Sequence, residues 1–136
     1  HRQLLGSRAA ATNTINHATS YWIARQSTRS FVRDVDFVTG VGANRAKAAG
    51  PGAARFHHVH RVVTNLGVYD FSGPGGTMAL LSLHPGVPLD EVLDATGFEL
   101  HVPETIPATR LPDEQELRLI REALDPAHRR EQEVSP

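Results

Sequence analysis

The stretch Val59-His60-Arg61-Val62-Val63-Thr64-Asn65-Leu66-Gly67-Val68-Tyr69-Asp70-Phe71 constrains the fold of this chain more than any other. Val59, Arg61 and Val63 alternate with His58, His60 and Val62, the period-two pattern of a strand that turns one face inward. Val68 to Phe71 repeats the β-branched and aromatic enrichment directly after Asn65-Leu66-Gly67. Two short strands so close together imply a β-hairpin, although Leu66 departs from the polar two-residue turns that hairpins prefer. A third strand is expected from Thr77 to Leu83, between the breaker Gly73-Pro74-Gly75-Gly76 and the stop His84-Pro85-Gly86.

Around this block the signals alternate. Residues 3–11 read as a short strand or turn, and a helix is expected to start at Thr12 or Asn13 and run toward Thr19. Tyr21-Trp22-Ile23-Ala24 reads as a strand, and Val35-Asp36-Phe37-Val38-Thr39 as another, closed by Gly40-Val41-Gly42. Ala43 to Ala54, rich in Ala, Gly and Pro, is expected to be a loop. Asp90 to Thr96 is a short helix stopped by Gly97. Asp113 to Leu124 is the clearest helix. Asp113 and Glu116 form a capping box, Leu117, Ile120 and Leu124 an apolar stripe, and Glu114 and Arg118 an i,i+4 pair. Strands followed by terminal helices predict an α/β fold, a layered sheet flanked by helices, in one domain spanning residues 1–136.

Charge and composition remove whole classes of function. Fourteen Lys+Arg against 15 Asp+Glu leave a net charge of -1, so no global field draws the chain to nucleic acid or an anionic membrane. With no cysteine, disulfides, thiolate nucleophiles and Cys-based zinc sites are excluded, which agrees with a cytoplasmic location. No apolar run approaches the ~20 residues of a membrane span, and the first residues lack a signal-peptide pattern. The start at His1, without Met, is what an internal starting point looks like.

Several motifs invite chemistry. His57-His58-x-His60 places His58 and His60 on one strand face, as a two-histidine metal site requires. No carboxylate completes a recognised spacing, so no metal is assigned, and a metal-binding or non-catalytic subunit stays as the reading of another class. Gly40-Val41-Gly42 and Gly73-Pro74-Gly75-Gly76 complete neither a dinucleotide fingerprint nor a Walker loop and read as turns. No nucleophile elbow is present. Ser7 and Arg8 sit in a small-residue turn that opens toward a helix, an arrangement able to aim backbone N–H groups at an oxyanion.

Val62-Val63-Thr64-Asn65-Leu66-Gly67-Val68-Tyr69-Asp70-Phe71 resembles a segment of the β subunits of the class I CoA-transferase family. The resemblance continues in Leu81-Ser82-Leu83-His84-Pro85-Gly86-Val87, in Ala95-Thr96-Gly97-Phe98 and in Leu111-Pro112-Asp113-Glu114-Gln115-Glu116-Leu117. It implies a CoA-transferase-like fold of which this chain is the C-terminal portion. Asn13 to Trp22 and Val35 to Gly42 resemble the branch of that family that hydrolyses ring CoA thioesters in steroid (cholesterol) catabolism.

Gly6-Ser7-Arg8-Ala9 stands where transferases of the family carry Gly-Ser-Gly-Gly. Arg8 in place of glycine crowds the turn and brings a cation to a carboxylate or enolate, which argues against transfer through a glutamyl anhydride. The resemblance thus implies a hydrolase whose substrate is held by Arg8 and Ser7, with Asn13 and Asn16 as supporting donors. No catalytic carboxylate is identified in this chain; the glutamate base is expected from an α subunit. The expected assembly is an αβ heterotetramer with coenzyme A entering only as part of the substrate. An acyl-CoA:carboxylate CoA-transferase β subunit is the nearest alternative.

Overall fold

The computed structural model describes residues 8–38 and 40–133. Its centre is a four-stranded sheet in the order β1-β2-β3-β4, formed by Ala18–Ile23, His58–Thr64, Gly67–Asp70 and Ala79–Leu83. β1 and β2 are parallel, with Tyr21 opposite Val62 and Ile23 opposite Thr64. β2, β3 and β4 then meander antiparallel, pairing Val62 with Tyr69 and Tyr69 with Leu80. Parallel neighbours need a long crossover, and residues 24–57 supply it.

The expected hairpin forms, and the structure explains its unusual connection. Thr64 Oγ1 accepts from the backbone N–H groups of Leu66 at 3.0 Å and Gly67 at 3.2 Å, so a side chain holds the turn closed. Leu66 is buried in the core, which is why an apolar residue sits where polar turn residues are usual. Gly67 packs so tightly that a β-carbon there would lie 2.6 Å from the carbonyl oxygen of Ser82. Phe31, Val62, Leu66, Tyr69, Leu80, Val92 and Leu100 form the core, with Phe31 edge-on to Tyr69 and stacked on Phe98.

Three expectations require correction. Val35 to Val38 is not a strand: Val35, Phe37 and Val38 are 55%, 78% and 42% exposed, and no neighbouring strand receives them (Thr39 lies outside the described residues). The Ala43 to Ala54 segment is helical, in α2 (Ala43–Ala48) and α3 (Pro51–Ala54). Alanine's high helix propensity, with Pro at the start of α3, outweighs the glycines. The helix expected from Thr12 toward Thr19 begins earlier and ends sooner, as α1, Arg8–Asn16, so residues 8–11 are helical rather than strand or turn and Thr19 belongs to β1, while residues 1–7 lie outside the described residues.

The C-terminal elements follow the sequence more closely. α4 is Leu89–Asp94, with Val92 fully buried. α5, Glu114–Arg118, carries the expected capping box: Asp113 accepts from the Glu116 N–H at 2.8 Å, and Glu116 accepts from the Asp113 N–H at 3.0 Å. It continues as a π-helical turn, Leu119–Leu124, closed by the Asp125 N–H on the Ile120 carbonyl. That change of pitch turns the expected stripe outward, leaving Leu124 71% exposed. Among the described residues no ion pair joins Glu114 to Arg118; Glu116 pairs with Arg110 at 2.7 Å instead. A last short helix, α6 (Arg130–Glu133), is tied back by Arg130 to Asp125 at 2.8 Å. No helix among the described residues is long and apolar enough to cross a membrane.

Candidate functional site

Two regions hold chemistry, the helix α1 and a cleft beside Phe71. Of the four residues predicted to bind substrate, Ser7 lies outside the described residues, and Arg8 is the first residue of α1. Asn13 and Asn16 are exposed at the opposite end of that helix. At 1.5 Å of rise per residue, Arg8 and Asn16 stand about 12 Å apart along the axis. The Asn16 carboxamide donates to the Thr12 carbonyl at 3.0 Å, and the Asn13 carbonyl accepts from the His17 N–H at 2.9 Å and the Thr19 hydroxyl at 3.3 Å. The fold therefore groups Asn13 with Asn16 but separates both from Arg8.

Sequence reasoning passed over Thr14, which is 1% exposed and fixes α1 to the rest of the chain. Its hydroxyl accepts from the Val41 N–H at 3.2 Å, and His57 Nε2 donates to the Val41 carbonyl at 2.7 Å. A β-carbon at Gly40 would sit 3.7 Å from both Thr14 and the Tyr21 hydroxyl. Gly40-Val41-Gly42 is thus a clamp between α1, β1 and the start of β2, and its central N–H is already used. Gly73-Pro74-Gly75-Gly76 likewise closes on itself, with the Gly73 N–H on the Thr77 carbonyl and the Gly76 N–H on the Gly73 carbonyl. Both behave as turns, not phosphate cradles.

The histidines take separate roles. His57 is committed to Val41, whereas the His58 and His60 rings meet edge-on with centroids 5.4 Å apart. No group of three or more His, Cys, Asp or Glu among the described residues is placed to hold a metal ion. His84 has a structural position: Nε2 donates to the Thr64 carbonyl at 2.9 Å, and Nδ1 accepts from the Thr109 hydroxyl at 3.0 Å.

Phe71, just beyond β3, is shared by three adjoining hollows. An apolar one of 390 Å³ is walled by Tyr21, Val35, Val62, Phe71, Met78 and Phe98. A second, of 590 Å³, adds Arg33, Thr77 and Glu99 to Phe71, Met78 and Phe98. The third, of 360 Å³, is lined by His57, His58, His60 and Asp70. Burial raises the Tyr21 phenol above its ordinary value. Arg33 is nearly free, at 3.9 Å from an equally exposed Asp34. Asn13 and Asn16 line none of these hollows.

Comparison with known proteins identifies the frame. The chain is 53% identical over 134 residues to the cholesterol ring-cleaving hydrolase IpdB subunit of Rhodococcus jostii, covering 98% of this chain and 53% of that subunit. A chain of the Rhodococcus jostii RHA1 IpdAB crystal structure superposes with a TM-score of 0.89 at 52% identity, covering 99% of this chain and 54% of that one. Glutaconate coenzyme A-transferase from Acidaminococcus fermentans follows with a TM-score of 0.78 at 25% identity, covering 99% and 51%. The chain is thus similar to one half of these hydrolase and CoA-transferase subunits and shares their fold. No family model matches the sequence.

The chain spans about half the length of the relatives it matches. The hairpin from Val62 to Phe71 contributes its first and last residues to the lining of the apolar cleft. The sheet and its crossover enclose an aromatic cleft floored by the core.

Proposed function

We infer that the chain is part of the β subunit of a hydrolase that opens a ring in a steroid-derived CoA thioester of cholesterol catabolism. One observation carries this reading: in superposition over 99% of the chain, identity is 52% to a chain of the IpdAB hydrolase structure, against 25% to glutaconate coenzyme A-transferase. The chain works with an α subunit in a cytoplasmic αβ heterotetramer, and coenzyme A enters only as part of the substrate. Arg8 holds the substrate carboxylate or the developing enolate, and Ser7 with the free N–H groups at the start of α1 supports the charge. Asn13 and Asn16, about 7.5 and 12 Å along the helix, reach a different part of an extended thioester. A glutamate of the α subunit acts as the base.

The test is co-expression of the chain with an α subunit and assay on a ring-bearing CoA thioester. Ring opening by water is expected, with no adduct trapped by hydroxylamine. Loss of a charge-assisted contact in Arg8→Ala is expected to lower kcat/KM by about 10- to 100-fold. Full activity of Arg8→Ala removes the site assignment. Exchange of CoA between carboxylic acids, with a trapped glutamyl adduct, replaces the hydrolase by the transferase.

A further inference from the structure

We propose that the cleft around Phe71 is a preformed binding site for the alicyclic, ring-bearing part of a carboxylate or acyl thioester, with Arg33 receiving its anionic end. The choice of ligand rests on the ring-bearing substrate inferred above; the site itself rests on geometry. Its floor is the core. Phe31 and Val62 are buried, Phe31 stacks on Phe98 at 6.1 Å with the rings 9° apart, and Met78 packs against the same cluster. Side chains held this way keep their shape without a ligand, so little ordering free energy opposes binding.

The dimensions agree with a small molecule. The apolar hollow of 390 Å³ and the adjoining one of 590 Å³ share Phe71, Met78 and Phe98, and each falls within the range of about 300–1,000 Å³ typical of ligand sites. Saturated rings present a thick, rigid apolar body, which suits a pocket walled by Val62, Met78 and Phe98 better than a narrow tunnel for a straight chain. The larger hollow adds Arg33, Thr77 and Glu99, and Tyr21 and Ser30 are the polar residues lining the apolar one. Arg33 bonds only weakly to Asp34, both side chains being largely in water, so its guanidinium is available to a carboxylate.

The chain carries its own reporters. Met78 is its single methionine and lines both hollows, while Trp22, its single tryptophan, lines neither. With methyl-labelled methionine, one resonance reads the cleft. Titration with a decalin carboxylate is expected to shift that resonance saturably while Trp22 emission stays constant. A straight-chain acid of equal carbon number is expected to bind about tenfold more weakly.

Val35 is 55% exposed and outside the core cluster, so Val35→Asp should keep the fold and weaken binding about tenfold; Val35→Ser should weaken it about threefold. Arg33→Gln should weaken it by a similar small factor. The proposal is overturned if the Met78 resonance does not saturate, if both acids bind equally, or if folded Val35→Asp and Val35→Ser bind as the parent does. Absence of ring opening in the αβ complex alongside a retained Met78 response discards the hydrolase and leaves the cleft. Ring opening without that response discards the cleft alone.

Discussion

Gln26 is 5% exposed, and replacing it by leucine tests whether the core is built on a polar hub. Its Oε1 accepts from the Tyr69 hydroxyl at 2.7 Å and the Thr64 hydroxyl at 2.9 Å, and its Nε2 donates to Thr96 Oγ1 at 3.0 Å. The partners differ in what they lose. Thr64 keeps the N–H groups of Leu66 and Gly67, and Thr96 keeps the Val92 carbonyl at 2.7 Å. Tyr69, with no exposed surface, loses its 2.7 Å acceptor and keeps only the neighbouring Thr64 hydroxyl, which already accepts from two N–H groups. A stranded buried group costs about 1–3 kcal/mol, and the lost bonds about 1 kcal/mol more, so Gln26→Leu should destabilise by roughly 3 kcal/mol.

Tyr69→Phe removes the stranded group and should cost about 1 kcal/mol alone. The double variant should then cost about 2 kcal/mol where simple addition gives about 4, a coupling near 2 kcal/mol. Urea unfolding followed by far-UV circular dichroism and by Trp22 emission measures all four corners of this cycle. Additive losses, within about 0.5 kcal/mol, would show that Gln26 and Tyr69 do not depend on each other and would refute the reasoning.

Two further predictions concern the hairpin and the capping box. Gly67→Ala should cost about 2–3 kcal/mol, because the new β-carbon would meet the Ser82 carbonyl of the paired strand at 2.6 Å. Gly75→Ala meets nothing within 4 Å but has φ of 69°, so about 1 kcal/mol of left-handed strain is expected, and thermal unfolding should rank the two in that order. Hydrogen bonds from Arg110 and from the Asp113 N–H lower the Glu116 carboxyl from 4.5 to about 2. A depressed carboxyl stabilises the fold above its unfolded pKa and loses that contribution as pH falls through the folded value. Stability should therefore decline between about pH 5 and pH 2 in the parent chain, and this part of the decline should vanish in Glu116→Gln; identical acid profiles would rule the pair out as its source.

The parts legible in the sequence are those where a local pattern and its tertiary use coincide. The alternation from Val59 to Val63 became β2 because one face of that strand is buried at Val62 and Thr64. The capping box at Asp113 is complete within four residues, so nothing distant can hide it. Val35 to Val38 failed for the opposite reason: β-branched and aromatic residues suggested a strand, yet a strand needs a neighbour, and no sequence window shows whether one is there. The stripe of Leu117, Ile120 and Leu124 failed because a π-helical turn changes the angular spacing on which the stripe depends.

The candidate site divides along the same line. Arg8 and Ser7 rest on a motif alone, and Ser7 lies outside the described residues. Asn13 and Asn16 are near Arg8 in sequence, yet the rise of α1 carries them about 7.5 and 12 Å away. The Phe71 cleft shows the reverse. Tyr21, Val35, Val62, Met78 and Phe98 are scattered over most of the chain, and the parallel crossover with the antiparallel meander gathers them on one face. No spacing rule connects such residues, because what they share is a position on a sheet and not a period. A thioester with one anionic group at Arg8 and its rings and a second anionic group at Phe71 and Arg33 would use both surfaces. That is why the separate readouts matter: kcat/KM with Arg8→Ala reports one end of such a ligand, and the Met78 resonance reports the other.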